Sequence, residues 1–327
     1  MKKVCMAVIV VLSFSVFGMF QVAMAQPKGD LELVSKKVGS SPKNAGSSQW
    51  NKAAGSKFVL TGAGSAKGET VEMMAKSVYT KDEIFFRFEW ADKDKSMKKN
   101  SWKRTGDKWV KQKLDEDRLG VVFQINRIDK FATKGCAILC HNESKNEKEW
   151  YYSTNSKKER GDFWHWKAAR SNPVGFTEDG FLKDNPSKEP EKARKRDAGK
   201  GKASNNRTAD KSGPSHMQAP GTNASLENVL LASEAVEITP DSVISEGLWI
   251  PGYLMNMEWS GSYADIKTQG AWKDGKWVVM MSRKLNTGND DDLQFNTRKK
   301  YPFMMASFDN AHEHNSHNSE VLKLKFK

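Results

Sequence analysis

The sequence predicts an all-β protein, a β-sandwich with long loops and few short helices. Short apolar or alternating runs recur along the chain, and Gly, Asn and Asp turn signals separate them. The helical period of 3.6 residues is weak throughout. The 327 residues include eleven Trp and sixteen Phe, enough to fill the core of a large β domain.

The first 25 residues have the pattern of a secretory signal peptide. Lys2 and Lys3 form a basic start, an apolar run extends from Val4 to Val22, and Ala23-Met24-Ala25 is a small-x-small cleavage site. The alternative is an uncleaved membrane anchor, since the run is nearly long enough to span a bilayer. We expect cleavage and export, to the periplasm or an equivalent compartment, with no integral membrane domain left in the mature chain.

The ordered domain is expected to begin near residue 49. Residues 26–48 are rich in Gly, Ser and Lys and are predicted to be a flexible leader. The domain then covers residues 49–327. Its predicted strands are Val71–Tyr79, Ile84–Trp90, Leu119–Ile125, Phe163–Trp166, Ala235–Ile238, Gly270–Trp272, Lys276–Met281, Tyr301–Phe308 and Val321–Phe326. Thr80–Glu83 and Asp274-Gly275 predict hairpin turns, the second strongly.

A lysine-rich loop insertion is predicted at about residues 184–225, where large apolar residues are almost absent. Such a composition buries too little surface to order itself. The stretch from Lys183 to Lys211 holds ten Lys or Arg against five Asp or Glu, within a chain of net charge +13. A basic surface suits an acidic redox partner, and export argues against nucleic acid. A solvated loop without a docking role is the competing interpretation.

The segment Gly135–His141 carries the most informative motif. After Cys5 leaves with the signal, the chain keeps two cysteines, Cys136 and Cys140, and His141 follows the second. Covalent c-type haem attachment uses C-x-x-C-H, in which the histidine becomes an axial iron ligand. Here the spacing is one residue longer. A disulfide, which suits an exported protein, a zinc site with distant histidines, and free thiols, which export disfavours, are the alternatives.

A haem that carries electrons needs a second axial ligand. His312, His314 and His317 cluster in a polar loop between two predicted strands, a suitable place for one. His165 alternates with two tryptophans on a predicted strand and is expected to be structural or at a pocket edge. Met217 is a weak thioether candidate. Met280, Met281, Met304 and Met305 are expected to lie in the core.

The sequence shows no catalytic constellation such as a triad, a paired-carboxylate site or a phosphate loop. Two acidic runs, Asp115–Asp117 and Asp290–Asp292, flank predicted strands. We expect both runs to be solvated loops, with calcium binding as the alternative. The sequence therefore does not predict an enzyme.

Six segments together resemble the haem-binding domain of the ethylbenzene dehydrogenase γ-subunit family, also described as cytochrome c-552/DMSO reductase-like. They are Asp115–Leu119, Gly135–His141, Asp162–Arg170, Gly270–Trp277, Arg283–Leu285 and Phe308–Asn310. The resemblance extends from about Trp50 to the C-terminus. It implies a sandwich similar to DOMON and carbohydrate-binding modules, with haem at one end, and electron transfer that often takes place beside a molybdenum enzyme.

The sequence departs from that family at both iron ligands. The resemblance implies a non-covalent haem held by a methionine, within the segment matching Gly135–His141, and by a lysine near His312–His317. This chain has no methionine in the first segment and three histidines in the second. With the resemblance, this predicts a bis-histidine haem, with His141 as one ligand and His314, or next His317, as the other.

The sequence thus predicts an exported haem protein, c-type through Cys136 and Cys140 or non-covalent b-type, that passes single electrons to or from a partner. It is an electron carrier, or an accessory subunit of an oxidoreductase. One alternative is a haem-free ligand- or carbohydrate-binding module with a Cys136–Cys140 disulfide and exposed tryptophans. Another is a haem enzyme or sensor with an open iron position.

Overall fold

The computed structural model describes residues 31–189, 192–201, 203–312 and 315–327. The predicted signal peptide and His314 lie outside these residues. The strands are β1 (Glu32–Lys37), β2 (Ser56–Gly62), β3 (Thr70–Tyr79), β4 (Glu83–Ala91), β5 (Trp102–Thr105), β6 (Lys108–Lys111), β7 (Arg118–Gln124), β8 (Gly161–Lys167), β9 (Gly180–Leu182), β10 (Arg194–Arg196), β11 (Gly199–Lys200), β12 (Ser204–Asn205), β13 (His216–Gln218), β14 (Leu230–Leu231), β15 (Ala235–Glu237), β16 (Trp249–Ile250), β17 (Tyr253–Met255), β18 (Ser260–Gly261), β19 (Lys267–Lys273), β20 (Lys276–Lys284), β21 (Tyr301–Phe308), β22 (His317–Asn318) and β23 (Leu322–Phe326). The helices are α1 (Phe131–Lys134) and α2 (Cys136–Leu139), with 3-10 turns at Ser48–Lys52, Gly64–Ala66, Glu147–Glu149, Asn172–Val174 and Ser262–Ala264. Within this described part of the chain, no helix has the length and apolar character needed to cross a bilayer.

Two antiparallel layers face each other across the core. One layer has the order β10-β9-β8-β7-β21, and the other has the order β19-β20-β4-β3. Aromatic rings from the inner faces meet between them: the ring centroid of Trp164 lies 5.6 Å from that of Phe86, and Trp166 lies 4.9 Å from Trp277. This arrangement is a β-sandwich, and it confirms the predicted fold class.

Four strands join the two layers along one side. β21 pairs with β23 near its start and with β22 near its end, while β3 pairs with β2 and then with β1. β23 runs parallel to β1, and β22 is antiparallel to β2. Hydrogen bonding therefore continues from one layer into the other, which leaves no open sheet edge on that side.

The prediction of a flexible leader is wrong from residue 32 onward, because β1 is one of the four strands that join the two layers. Leu33 and Ser35 are fully buried on the inner side of the strand. The Ser77 hydroxyl donates a hydrogen bond to the Ser35 hydroxyl at 2.9 Å. A serine at a core position conceals the apolar alternation that would otherwise have predicted a strand.

Each strand predicted from alternation is present, with small shifts at its ends. At the β3–β4 turn, the Thr80 amide donates to the Glu83 carbonyl at 2.9 Å. In the β19–β20 hairpin, Asp274 and Gly275 have φ of 52° and 73°. Positive φ at both central residues is the type I′ geometry that an Asp-Gly pair favours, so this prediction is confirmed.

The lysine-rich insertion is better ordered than its composition predicts. β10 pairs with β9 at the edge of the first layer. The Asn206 side chain, fully buried, donates to the carbonyls of His216 and Pro251 at 2.9 and 3.0 Å and accepts from the His216 amide at 2.9 Å. Polar anchoring of this kind replaces the apolar burial that the segment lacks, and composition does not reveal it.

The prediction of a solvated loop is also wrong for most of the first acidic run. Glu116 and Asp117 are fully buried. The Glu116 carboxylate accepts hydrogen bonds from the Ala169 and Arg170 amides, while Asp117 accepts from the Ser96 amide at 2.7 Å and from the Trp277 indole at 2.9 Å. These carboxylates anchor loops to the end of the sandwich.

In the second acidic run only Asp290 is exposed, while Asp292 is buried. Asp292 is one of three carboxylates around the fully buried Arg283: the guanidinium Nη1 lies 2.8 Å from Asp162, 3.4 Å from Asp179 and 3.0 Å from Asp292. The prediction of a solvated turn is therefore wrong at Asp292, because this carboxylate balances the charge of the buried Arg283.

Candidate functional site

Cys136 and Cys140 come together because they lie one helical turn apart. Gly135 separates α1 from α2 with φ of 49°, and a Cβ there would lie 2.9 Å from a Val321 methyl carbon, so the turn requires glycine. The Cys140 amide then donates to the Cys136 carbonyl at 2.9 Å. A spacing of four residues puts both side chains on one face of the turn, which the C-x-x-x-C pattern allows as readily as C-x-x-C.

Both cysteines are thiols in the structure, not halves of a disulfide. Cys136 is buried, and its Sγ lies 3.8 Å from the Nε2 of His141. The interaction with the Cys140 thiol, followed by that with His141, lowers the pKa of Cys136 to about 6. A lowered pKa favours the thiolate, which is the reactive form of cysteine.

His141 is held in place by an aromatic neighbour. Its ring stacks on Trp150 with centroids 3.8 Å apart and planes inclined by 16°. The Trp150 indole donates to the Ser144 carbonyl at 2.9 Å, which fixes the tryptophan. Nothing in the sequence motif pointed to Trp150, nine residues downstream.

The three motif side chains line an apolar cleft on the outer face of the first layer. Its other lining residues are Gly120, Val122, Tyr152, Phe163, Met304, Met305, Ala306, Phe308, Ser316 and Asn318, and its cavity volume is about 30 Å³. Gly120 opens the floor, since a Cβ there would lie 3.3 Å from the Phe163 ring and 3.9 Å from the Phe308 ring. A glycine inside a strand is a sequence signal for such a close approach.

The predicted distal histidines lie in different surroundings. β22 alternates: the Asn318 oxygen accepts from the Cys136 thiol at 3.8 Å, whereas the Nε2 of the neighbouring His317 lies 3.5 Å from Glu69. The His317 ring is therefore on the opposite face of the strand from the cleft. His312 is exposed, and His314 lies outside the described residues. Met304, predicted to be core, is buried but lines the cleft.

The donor set at this cleft is that of a c-type haem site, but a volume of about 30 Å³ holds only one or two water molecules, so the cleft must open before a haem can enter. Two thiols and an imidazole converge on one wall of an apolar cleft, and a missing Cβ widens its floor. These are the donors and the low-dielectric surroundings that a c-type haem uses. Within the described residues, every group of three metal-ligating side chains in mutual reach consists of aspartates, so no Cys–His set of the zinc type is formed there.

A second hollow lies beside the cleft and has the opposite character. As alternation predicts, β8 directs Trp164 and Trp166 inward, while His165 lines this hollow with Lys167, Arg170, Glu178, Arg194 and Tyr263. Burial, followed by the charge of Lys167, lowers the pKa of His165 well below its usual value. His165 is thus a neutral residue at a pocket edge, and Phe163 separates it from the cysteine cleft.

Met217 does not lie at this site. It is buried in a separate cluster with Trp102, Leu230 and Ile250. The neighbouring His216 ring interacts with the Ser215 hydroxyl at 2.9 Å. Neither residue lines the cysteine cleft.

Comparison with known proteins identifies one family. The family model described as Ethylbenzene dehydrogenase matches residues 47–319. No curated protein matches the chain. Among solved structures, a family 9 carbohydrate-binding module from Caldicellulosiruptor kristjanssonii in complex with glucose is similar at 6% identity and a TM-score of 0.37, over 90% of this chain and 95% of that one. A putative carbohydrate-binding protein from Bacteroides uniformis is similar at 8% identity and a TM-score of 0.39, over 92% of this chain and 100% of that one. Likenesses at this level bear on neither ligand nor activity.

Proposed function

Because this chain belongs to the ethylbenzene dehydrogenase family, we propose that it is an exported haem-binding electron-transfer protein. It would pass single electrons to or from a redox partner, as an accessory subunit or a free carrier rather than as a catalyst. The observation that carries the proposal is the convergence of Cys136, Cys140 and His141 on an apolar cleft. Export rests on the signal pattern of residues 1–25.

Each residue has a distinct role in this proposal. Cys136 and Cys140 would hold the haem through thioethers, and the lowered pKa of the Cys136 thiol favours its reaction. His141 would bind the haem iron through its imidazole, and stacking on Trp150 orients that ring. The bound haem supplies reversible one-electron chemistry, and the apolar walls exclude water from it.

The second ligand is proposed to come from the loop before β22. Ser316 and Asn318 line the cleft, and His314 immediately precedes this stretch in sequence, so it stays the first choice. His317 would have to leave Glu69, and exposed His312 would have to move inward. Met304 is a further candidate, because its thioether already lines the cleft. A low-spin spectrum distinguishes His–His from His–Met ligation.

The partner is proposed to be an acidic protein. In the insertion, Lys188, Lys192, Lys195, Arg196, Lys200, Arg207 and Lys211 are exposed. A cluster of exposed basic groups speeds association with an acidic surface and loses its effect as salt screens it. The association rate with such a partner should therefore fall steeply with ionic strength.

The carbohydrate-binding alternative finds little support in the side chains. It requires exposed tryptophans and a Cys136–Cys140 disulfide. Among the eleven tryptophans, all within the described residues, only Trp249 is exposed, at 38%, and Lys98 lies over its ring. The two cysteines are thiols.

A haem stain on a denaturing gel tests the proposal. The chain is exported in a host with a c-type maturation system, and a stained band is expected for the wild type and for the control His216→Gln. Cys136→Ser with Cys140→Ser should lose the stain. His141→Ala should lose low-spin absorption. An unstained band from red native protein would indicate b-type haem, and a colourless native protein would refute haem binding.

A further inference from the structure

Three aspartates from two separate loops meet at the edge of the first layer. Asp197 follows β10 in the lysine-rich insertion, and Asp291 and Asp292 lie in the loop between β20 and β21. One carboxylate oxygen from each lies within 4.8 Å of the others. Segments almost a hundred positions apart in sequence therefore bring like charges together.

Asp197 is the unusual member of this group. Its side chain is buried, and neither of its carboxylate oxygens has a hydrogen-bond donor. Asp291 accepts a hydrogen bond from the Ser262 hydroxyl at 3.0 Å, and Asp292 accepts one from Thr287 at 2.6 Å. A buried carboxylate with no donor is costly and rare in folded proteins, so its oxygens require a partner.

The neighbouring arginine does not serve as this partner. Arg283 Nη1 lies between Asp162, Asp179 and Asp292, and its Nη2 donates to the Leu293 carbonyl at 2.7 Å. Five carboxylates, those of Asp162, Asp179, Asp197, Asp265 and Asp292, thus interact with one buried guanidinium, and Asp291 adds a further negative charge beside Asp197. Arg196, which precedes Asp197 in the sequence, is exposed and lies over the Tyr263 ring.

We propose that Asp197, Asp291 and Asp292 bind a divalent cation, and that the cation is calcium. The donors are hard carboxylate oxygens with the Ser262 hydroxyl beside them. Such donors favour Ca²⁺, Mg²⁺ or Mn²⁺ over zinc or copper. Ligands from separate loops suit the larger, geometrically tolerant calcium better than magnesium, which requires a strict octahedron and retains its waters.

The site would fasten the insertion to the sandwich. Asp197 lies three residues before Lys200 and directly after the basic β10. Calcium would therefore hold the basic segment against the β20–β21 loop and set the position of its exposed lysines. This inference does not depend on haem binding, since none of its residues lines the cysteine cleft.

Calorimetric titration of the full chain, stripped with EDTA, tests the site with CaCl₂ and then MgCl₂. Wild type should bind one calcium and unfold at a higher temperature with it. Loss of an outer-shell partner alone lowers metal affinity roughly 10- to 100-fold, so Asp197→Asn and Asp291→Asn should lose about 100-fold or more. Asp290→Asn, at the exposed neighbour, should match wild type.

Each outcome of the titration either supports or refutes calcium binding at these three aspartates. No calcium heat and no thermal shift at about 5 mM, above the usual range of extracellular sites, would refute the proposal. Equal calcium binding by all three variants would place the ion elsewhere and also refute it. Magnesium binding as tight as that of calcium would overturn the choice of ion. If Asp197→Asn does not fold, the half-buried Asp291→Asn decides the result.

Discussion

Replacement of Arg283 by methionine should be among the most destabilising single changes in this chain. Its guanidinium is fully buried and contacts three carboxylates. Removal of one partner from a buried ion pair costs about 3–5 kcal/mol, because the remaining charge is left uncompensated. Loss of the bond to the Leu293 carbonyl, 2.7 Å long, adds about 1 kcal/mol. The sum of about 4–6 kcal/mol is a large part of the 5–15 kcal/mol that typically stabilises a domain.

Urea unfolding at pH 7, followed by tryptophan fluorescence, measures this loss, since Trp164 lies 4.7 Å beneath the guanidinium. Arg298→Met, at an exposed arginine in the loop between β20 and β21, should change the free energy of unfolding by less than about 0.5 kcal/mol. Arg283→Lys should fall between the two, because it keeps the charge but not the forked geometry. A loss below about 1 kcal/mol in Arg283→Met would refute the reasoning and show that the carboxylates are neutral in the folded protein.

Three further predictions concern the turn, the acidic cluster and the cleft. Gly275→Ala, at φ 73°, should cost about 1 kcal/mol and lower the melting temperature by a few degrees, whereas Gly39→Ala, with no atom near its Cβ, should not. In EDTA, the contribution of Asp197 to the free energy of unfolding, measured as wild type minus Asp197→Asn, should fall as pH rises from about 4 to 9. Burial, with Asp291 next, raises the pKa of Asp197 from 3.8 to about 9, so at this site the unfolded chain binds fewer protons in that window. A flat or rising difference in pH-dependent urea titrations would contradict this. Gly120→Val should fill the floor of the cleft and reduce haem content by absorbance, while circular dichroism stays that of the wild type; an unchanged haem content would argue against this cleft.

The fold was predictable where side chains alternate and turns carry their usual residues. β3, β4, β7, β8, β20 and β21 show apolar alternation or continuous burial, and Asp274-Gly275 encodes its hairpin. β1 was not predicted, because Ser35 occupies a core position where an apolar residue would have revealed the alternation. The order of the insertion was not predicted either, because it depends on the buried polar side chain of Asn206. Buried polar residues that stabilise the fold do not contribute to the hydrophobic periodicity from which strands are predicted.

The site was predictable only as far as it is local in sequence. Cys136, Cys140 and His141 adjoin one another, and one helical turn brings them together. Asn318 and Met304 reach the cleft through strand register, and a shift of one position would exchange the faces of Asn318 and His317. Register is a property of long-range pairing, which a single sequence does not display.

The parallel pairing of β1 with β23 has a consequence for how the chain folds. Glu32 lies opposite Lys323, so this ladder closes a loop of 291 positions, the difference between those two numbers. Loop-closure entropy delays such pairing until the intervening chain is already compact. The four strands that join the layers should then pair late, after both layers have formed. The C-terminal strand β23 must be in position before the N-terminal strand β1 can pair on both of its edges. We expect refolding to take milliseconds to seconds or longer. The amides of β1 should be the last to become protected from hydrogen exchange. Protection of β1 before β7 or β20 would contradict this order.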